Sequence, residues 1–277
     1  MGHTLEVFQP SWAMEQRAPD GLEWTLDETF RMIKEAGYDG MSIHMVSDDF
    51  PTVEQAKPLF DEYGLENILV AFPCDVEDLK PVFAMANKLG SRFVAINAVV
   101  SPYTPDEGAD HVCRSLALAD KIGVEAHFER HLYTLTNGLF HTGQVMDLVP
   151  EMEIACDLSH AVVSREVVLP LGDVHRAAFD KVLKRCAGLQ GRIATREQVQ
   201  IAIDWPQHAE WVALFNIWWE QAIHQWHERK PDGAILNFLC ELGSPPYGIT
   251  GTDRWDQALI LEDWARATWA VLNAEAA

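Results

Sequence analysis

The sequence predicts a single (β/α)₈ barrel, one domain spanning residues 1–277, and three observations carry that prediction. Eight short apolar runs alternate with longer amphipathic stretches at roughly 30-residue spacing, which is the pattern of parallel βα units. The chain has 277 residues with 48% hydrophobic content, close to the roughly 250 residues that one closed barrel needs. No G-x-G-x-x-G follows the first apolar run, which argues against a doubly wound dinucleotide-binding sheet.

The expected strands are 5–9 (LEVFQ), 40–45 (GMSIHM), 67–72 (NILVAF), 92–98 (RFVAINA), 124–129 (VEAHFE), 153–158 (EIACDL), 187–193 (AGLQGRI) and 234–241 (AILNFLCE). Several are apolar almost throughout, as strands buried on both faces are. Between them, stretches such as TLDETFRMIKEAG, DVEDLKPVFAMANKLG and GADHVCRSLALADKIG place apolar residues three and four apart, the helical period. These helices begin after Thr, Asp or Pro and end at Gly. Gly37, Gly64, Gly90 and Gly123 each fall just before a new strand.

Beyond residue 208, Trp211, Phe215, Trp218, Trp219, Ile223 and Trp226 recur at helical spacing and predict the helix that follows strand seven, packed on the barrel. Trp218 and Trp219 are neighbours on that helix and both need cover, one of them from a subunit interface or the substrate mouth. Residues 194–208 and 243–254 are the longest non-periodic stretches and follow late strands. Loops there lie over the active face of a barrel.

Charge narrows the partners. Forty-two acidic residues against 21 basic ones give a formal charge of -21, which repels phosphate backbones and anionic lipid and argues against nucleic acid and membrane as partners. No apolar run is long enough to span a bilayer. The cysteines at 74, 113, 156, 186 and 240 form no C-x-x-C pair and read as free thiols in a reducing compartment. MGHTLEVF has no basic region ahead of an apolar stretch, so no signal peptide is expected and the location expected is cytoplasmic.

Barrel chemistry gathers at the C-terminal ends of strands. Those ends carry Gln9, His44, Asn97, Glu129, Asp157, Gln190 with Arg192, and Glu241. Glu129, Asp157 and Glu241 come from strands five, six and eight and converge on one mouth. Three like charges in a small space require compensation; a divalent metal supplies it, with Arg192 as a further positive partner. Gln190 and Arg192, two apart on one strand, face the same side. In FERH, His131 lies two beyond Glu129; it either touches substrate or supports a carboxylate by hydrogen bonding. In CDLSH, His160 lies three beyond Asp157, placed to reach a metal-bound ligand. Tyr247 in GSPPYG sits just past Glu241, at the mouth.

The stretches FERHLYTLT, CDLSHAVVS, GRIATREQVQ and CELGSPPYG resemble the xylose isomerase-like TIM-barrel superfamily, the sugar phosphate isomerase/epimerase group, and the resemblance covers nearly the whole chain. Members typically bind one divalent cation through Glu, Asp, His and Glu at the ends of strands five to eight. The resemblance implies Glu129, Asp157 and Glu241 as metal ligands, and His160 and Arg192 as substrate contacts. At the fourth ligand the chain departs from the family: Gln190 stands where the strand-seven histidine is expected. An amide oxygen is a neutral hard donor. Three carboxylates and an amide form an all-oxygen set, which favours Mn²⁺ or Mg²⁺ over Zn²⁺. The other outcome is a metal site that has decayed.

The activity implied is that of an isomerase or epimerase acting on a sugar or related hydroxy-carbonyl compound. Glu129 and Glu241 would pass a proton as base and acid. A metal-dependent lyase or dehydratase on the same scaffold, or a non-catalytic homologue, are the alternatives. Homo-oligomers are common in the group, and the resemblance implies one here. DNA-repair endonucleases share the fold, but they need a His-rich multi-metal cluster and a basic face, which this chain lacks. Few basic residues attend the mouth beyond Arg192 and Arg196. With ten tryptophans and twelve phenylalanines, a partly aromatic pocket is expected, suited to a substrate bulkier or less polar than a sugar phosphate.

Overall fold

The computed structural model of the chain describes residues 2–17, 21–45, 50–165, 167–244, 247 and 251–275. Eight parallel strands close into a barrel in chain order, with the first paired to the last. They are β1 (Thr4–Pro10), β2 (Gly40–Met45), β3 (Glu66–Ala71), β4 (Val94–Ile96), β5 (Ala126–Glu129), β6 (Ile154–Cys156), β7 (Cys186–Gln190) and β8 (Ile235–Leu239). The helices are α1 (Leu26–Glu35), α2 (Val53–Tyr63), α3 (Leu79–Leu89), α4 (Pro105–Ile122), α5 (Leu139–Leu148), α6 (Leu158–Ser164), α7 (Asp173–Leu183), α8 (Ala209–Arg229) and α9 (Arg254–Glu275). Among the described residues no helix is long and apolar enough to cross a membrane.

Local chemistry explains the boundaries. Thr25 with Glu28, Thr52 with Gln55, and Thr104 with Glu107 form reciprocal capping boxes at the starts of α1, α2 and α4, each satisfying two backbone donors that a helix start leaves open. Gly90 and Gly123 end α3 and α4 in the left-handed region, at φ +72° and +79°, where a side chain would strain the backbone.

β4 and β6 are shorter than the apolar runs that predict them. β6 stops at Cys156 because Asp157 caps α6, accepting a hydrogen bond from the Ser159 backbone N–H. α6 itself was not expected from the sequence, since its seven residues are too few to display a periodicity.

The barrel interior is filled in its middle by Phe8, Ile68, Val70, Phe93, Ala95, Ala155 and Leu239. Ion pairs close the N-terminal end: Arg92 with Glu6 at 2.6 Å and Glu66 at 3.0 Å, and Glu153 with Lys230 at 2.6 Å and Arg229 at 2.9 Å. The larger core lies between strands and helices. There the structure corrects the reading of the tryptophan pair. Trp218 stacks on Phe179 at 4.3 Å between ring centroids, and Trp219 meets Phe238 at 5.4 Å and Trp264 at 5.0 Å. Both are buried within the chain, so neither serves a subunit interface or the mouth. The contacts to Phe179 on α7 and Trp264 on α9 join elements far apart in sequence, beyond what helical spacing reports. Cys156, Cys186 and Cys240 are buried free thiols, while Cys74 and Cys113 are exposed.

Gly191, just past β7, is required by packing. A Cβ there would lie 2.6 Å from Cε1 of Phe238. Without one, β7 and β8 approach closely enough for the Gly191 N–H to donate to the Leu239 carbonyl at 2.6 Å.

Candidate metal and active site

Glu129 ends β5, Asp157 follows β6, Gln190 ends β7 and Glu241 follows β8. All four are buried at one mouth. One oxygen each from Glu129, Asp157 and Glu241 lies within 4.8 Å of the others. The three are the one such group of potential metal-ligating side chains among the described residues.

The oxygens differ in what they touch. Asp157 Oδ1 accepts from the Ser159 backbone N–H at 2.9 Å and from the Ser159 hydroxyl. Asp157 Oδ2 accepts from Arg192 Nη2. Burial alone would raise the Asp157 pKa, but Arg192, His160 and Ser159 outweigh it and hold the carboxyl at about 2. Glu129 has no such counter-charge. Burial, reinforced by Glu241 and Asp157, pushes its pKa well above the ordinary carboxylate range, against smaller opposing effects of the Asn97 and Gln190 amides. Two carboxyls of one cluster are thus driven in opposite directions by their surroundings.

Glu129 Oε2, Glu241 Oε2 and Gln190 Oε1 are buried acceptors with no hydrogen-bond donor, and both amide atoms of Asn97 are likewise unpartnered. Buried polar groups are ordinarily satisfied. Open acceptor oxygens on Glu129 and Glu241, in a cluster where each carboxylate places an oxygen within 4.8 Å of the others, are what a bound cation satisfies, so the residues present fit a divalent ion. Their chemistry, carboxylate and amide oxygen, suits Mg²⁺ or Mn²⁺.

Arg192 organises one side of this centre. It is fully buried and donates through Nη2 to Asp157 and to His160 Nε2 (2.7 Å), and through Nε to the Ser159 hydroxyl (3.1 Å). Its Nη2 lies 3.6 Å from Glu241 Oε1. Burial opposes its charge, but Asp157 and Glu241 outweigh burial and raise its pKa.

Because His160 Nε2 accepts from a guanidinium, its proton sits on Nδ1, which has no partner. Burial lowers the His160 pKa well below the usual value, so the ring is neutral. His131 lies behind it, with ring centroids 4.0 Å apart, and its Nδ1 donates to the Leu132 carbonyl at 2.7 Å. Tyr247 stands at the rim, its ring 5.3 Å from the Arg192 guanidinium carbon. Arg196 pairs with Glu197 on the exposed loop.

The structure therefore brings Glu129, Asp157, Gln190, Glu241, Arg192 and His160 to one centre, with His131 behind it and Tyr247 beside it. It also adds residues to which sequence reasoning gave no role. Ser159 holds both Asp157 and Arg192. His44, at the end of β2, has its Nε2 3.7 Å from Glu241 Oε1. Trp12 tilts against His44 at 5.5 Å and meets Tyr247 edge-on at 5.7 Å. A strand-end position was the one signal for His44; Ser159 and Trp12 had none. Gln9, another strand-end residue, donates through its amide to the Met14 sulfur at 3.7 Å, and its Oε1 is buried without a partner.

Loop tethering completes the mouth. Gln200 donates to the carbonyls of Gly243 (3.2 Å) and Tyr247 (3.1 Å) and accepts from the Gly243 N–H (2.7 Å). One buried amide thereby joins the loop after β7 to the loop after β8, the two segments expected over the active face.

No protein-family model matches the chain, and no curated protein is significantly similar to it. Its fold is that of xylose isomerase-like barrels, at low sequence identity. An L-ribulose 3-epimerase superposes over 100% of this chain and 97% of its own, with TM-score 0.66 and 14% identity. A xylose isomerase-like TIM-barrel protein from Mycobacterium smegmatis, in complex with magnesium, covers 94% of this chain and 97% of its own, with TM-score 0.58 and 13% identity. A probable 3-DHS dehydratase from Bacillus anthracis covers 93% and 98%, with TM-score 0.57 and 12% identity.

Proposed function

We propose that the protein is a divalent-metal-dependent isomerase or epimerase acting on a hydroxy-carbonyl compound, with Glu129, Asp157, Gln190 and Glu241 as the metal ligands. The observation that carries this reading is the set of three buried, unpartnered acceptor oxygens on Glu129, Gln190 and Glu241, beside an Asp157 already held by Arg192 and Ser159. Epimerase and magnesium-bound fold neighbours support it.

A bound Mg²⁺ or Mn²⁺ supplies Lewis-acid polarisation of the substrate carbonyl. The chain's own residues do the rest. Glu241, with the Arg192 cation 3.6 Å from Oε1, acts as the base that takes the proton next to the carbonyl. Glu129, whose Oε2 has no hydrogen-bond partner, returns a proton from the other side. Arg192 and the free Nδ1–H of His160 hold the oxygen on which negative charge develops. Ser159 keeps Asp157 and Arg192 in register, and Tyr247 covers the guanidinium from solvent.

The same proton removal begins a β-elimination, and one fold neighbour carries a dehydratase name. Product analysis separates the two. Chelator-treated protein is reloaded with Mn²⁺ and incubated in D₂O with a panel of ketoses and aryl hydroxyketones, and exchange next to the carbonyl is followed by NMR. Exchange with product retaining every oxygen supports isomerisation, whereas loss of water assigns elimination. Glu129→Gln and Glu241→Gln should each slow exchange by about 10²–10⁴-fold. Bound metal with no exchange across the panel would overturn the proposal.

A further inference from the structure

A cleft of about 620 Å³ opens beside the acidic centre, walled by Trp12, Met14, Trp24, Leu26 and Phe50. That lies within the range of roughly 300–1,000 Å³ typical of small-molecule sites, and it exceeds the needs of the short tail of a simple sugar. Its inner wall is His44, whose Nε2 stands 3.7 Å from Glu241 Oε1. The cleft and the acidic centre therefore share a neck.

Three features describe what belongs there. The walls are largely flat and apolar, and the aromatic surface runs on through Trp12 and Tyr247 to Arg192. At the neck, the Trp12 indole N–H and His44 Nε2 are buried without a hydrogen-bond partner, and His44 is nine-tenths buried. A polar atom of a ligand at the neck would satisfy either of them. Among the described residues the charged ones lining the cleft are Glu15 and Glu23, with the Arg17 guanidinium stacked 5.2 Å from the Trp24 ring and Arg254 acting on both glutamates.

We propose that this cleft is the distal subsite of the centre and that it takes an uncharged, flat, apolar arm of the substrate, aryl or alkenyl, joined through an oxygen-bearing carbon at the neck. The inference rests on the metal-centre reading above and names its substrate class: an enolisable hydroxy-carbonyl compound with an apolar arm, not a phosphorylated or fully hydroxylated sugar.

The test uses hydroxamates, which offer a metal two oxygens as an enediolate does. Mn²⁺-loaded protein is titrated calorimetrically with acetohydroxamate, phenylacetohydroxamate and succinyl monohydroxamate. The phenyl compound should bind at least about tenfold tighter than acetohydroxamate, the scale expected from burying an aromatic ring, and the carboxylate-bearing compound no tighter. Trp24→Ala and Phe50→Ala should each cut the phenyl advantage below about threefold, while acetohydroxamate, too short to reach them, reports that fold and metal are intact. Equal affinity for the phenyl and methyl compounds, or a phenyl advantage untouched by both variants, would overturn the subsite and leave the metal centre standing. Failure to take up Mn²⁺ and to bind any hydroxamate would overturn both.

Discussion

Replacing Arg192 with methionine removes the one cation that hydrogen-bonds Asp157 while keeping most of the side chain's volume. In the native protein its Nη2 donates to Asp157 and His160 and lies 3.6 Å from Glu241 Oε1, all fully buried. The variant leaves Asp157 without its hydrogen-bonded cation, Glu241 without the cation 3.6 Å from Oε1, and His160 Nε2 without a donor. Breaking a buried pair from one side costs about 3–5 kcal/mol. At roughly 2–4 °C per kcal/mol for a domain of this size class, the chelator-treated variant should melt about 6–20 °C below the native protein.

The buried Arg130, which also feels the Asp157 charge, and a divalent ion would then be the remaining sources of positive charge. The rise in Tm on adding saturating Mn²⁺ should therefore be larger in Arg192→Met than in the native chain. Native binding at one hundred times Kd is worth about 2.7 kcal/mol. Differential scanning calorimetry with and without chelator reads both quantities. A Tm loss under about 2 °C, or an equal Mn²⁺ response in the two proteins, would refute the electrostatic account of the centre.

Three further outcomes follow from particular contacts. Gln190→His should tighten Mn²⁺ binding by roughly tenfold, about 1.4 kcal/mol, and move preference toward Zn²⁺; unchanged affinity by calorimetric titration would mean the Gln190 side chain lies outside the ligand shell. Gly191→Ala drives a methyl against Phe238 and should cost about 1–3 kcal/mol by overpacking, read as a lower urea midpoint with little change in slope. For Glu153, burial raises the pKa, but Lys230, His127 and Arg229 hold it below the ordinary 4.5. A depressed folded pKa stabilises above the unfolded value and is lost as pH falls through the folded one. Urea midpoints measured from pH 6 to pH 3 should therefore fall less steeply in Glu153→Gln than in the native protein.

Much of this architecture was legible because it is periodic. The run at 40–45 is β2 residue for residue, and Thr25 announced its helix through capping chemistry that acts over three residues. The carboxylates were legible for a different reason: an acidic residue at the end of an apolar run is costly to bury, and three of them, on strands five, six and eight, point to one mouth.

What stayed hidden depends on contacts between distant segments. Nothing local in CDLSH shows that Ser159 braces an arginine 33 residues away. His44 stood at a strand end without a role until its approach to Glu241 and Trp12 was seen. Trp218 and Trp219 looked in need of an external partner because the aromatic surfaces that cover them belong to α7 and α9.

The most direct test is a calorimetric titration of Mn²⁺ into chelator-treated protein, with the native chain beside Asp157→Asn, Glu129→Gln and Glu241→Gln. The account predicts one ion per native chain and at least about tenfold weaker binding in each variant, the scale of losing one charged ligand. No saturable uptake by the native chain, or uptake that none of the three substitutions weakens, would contradict it.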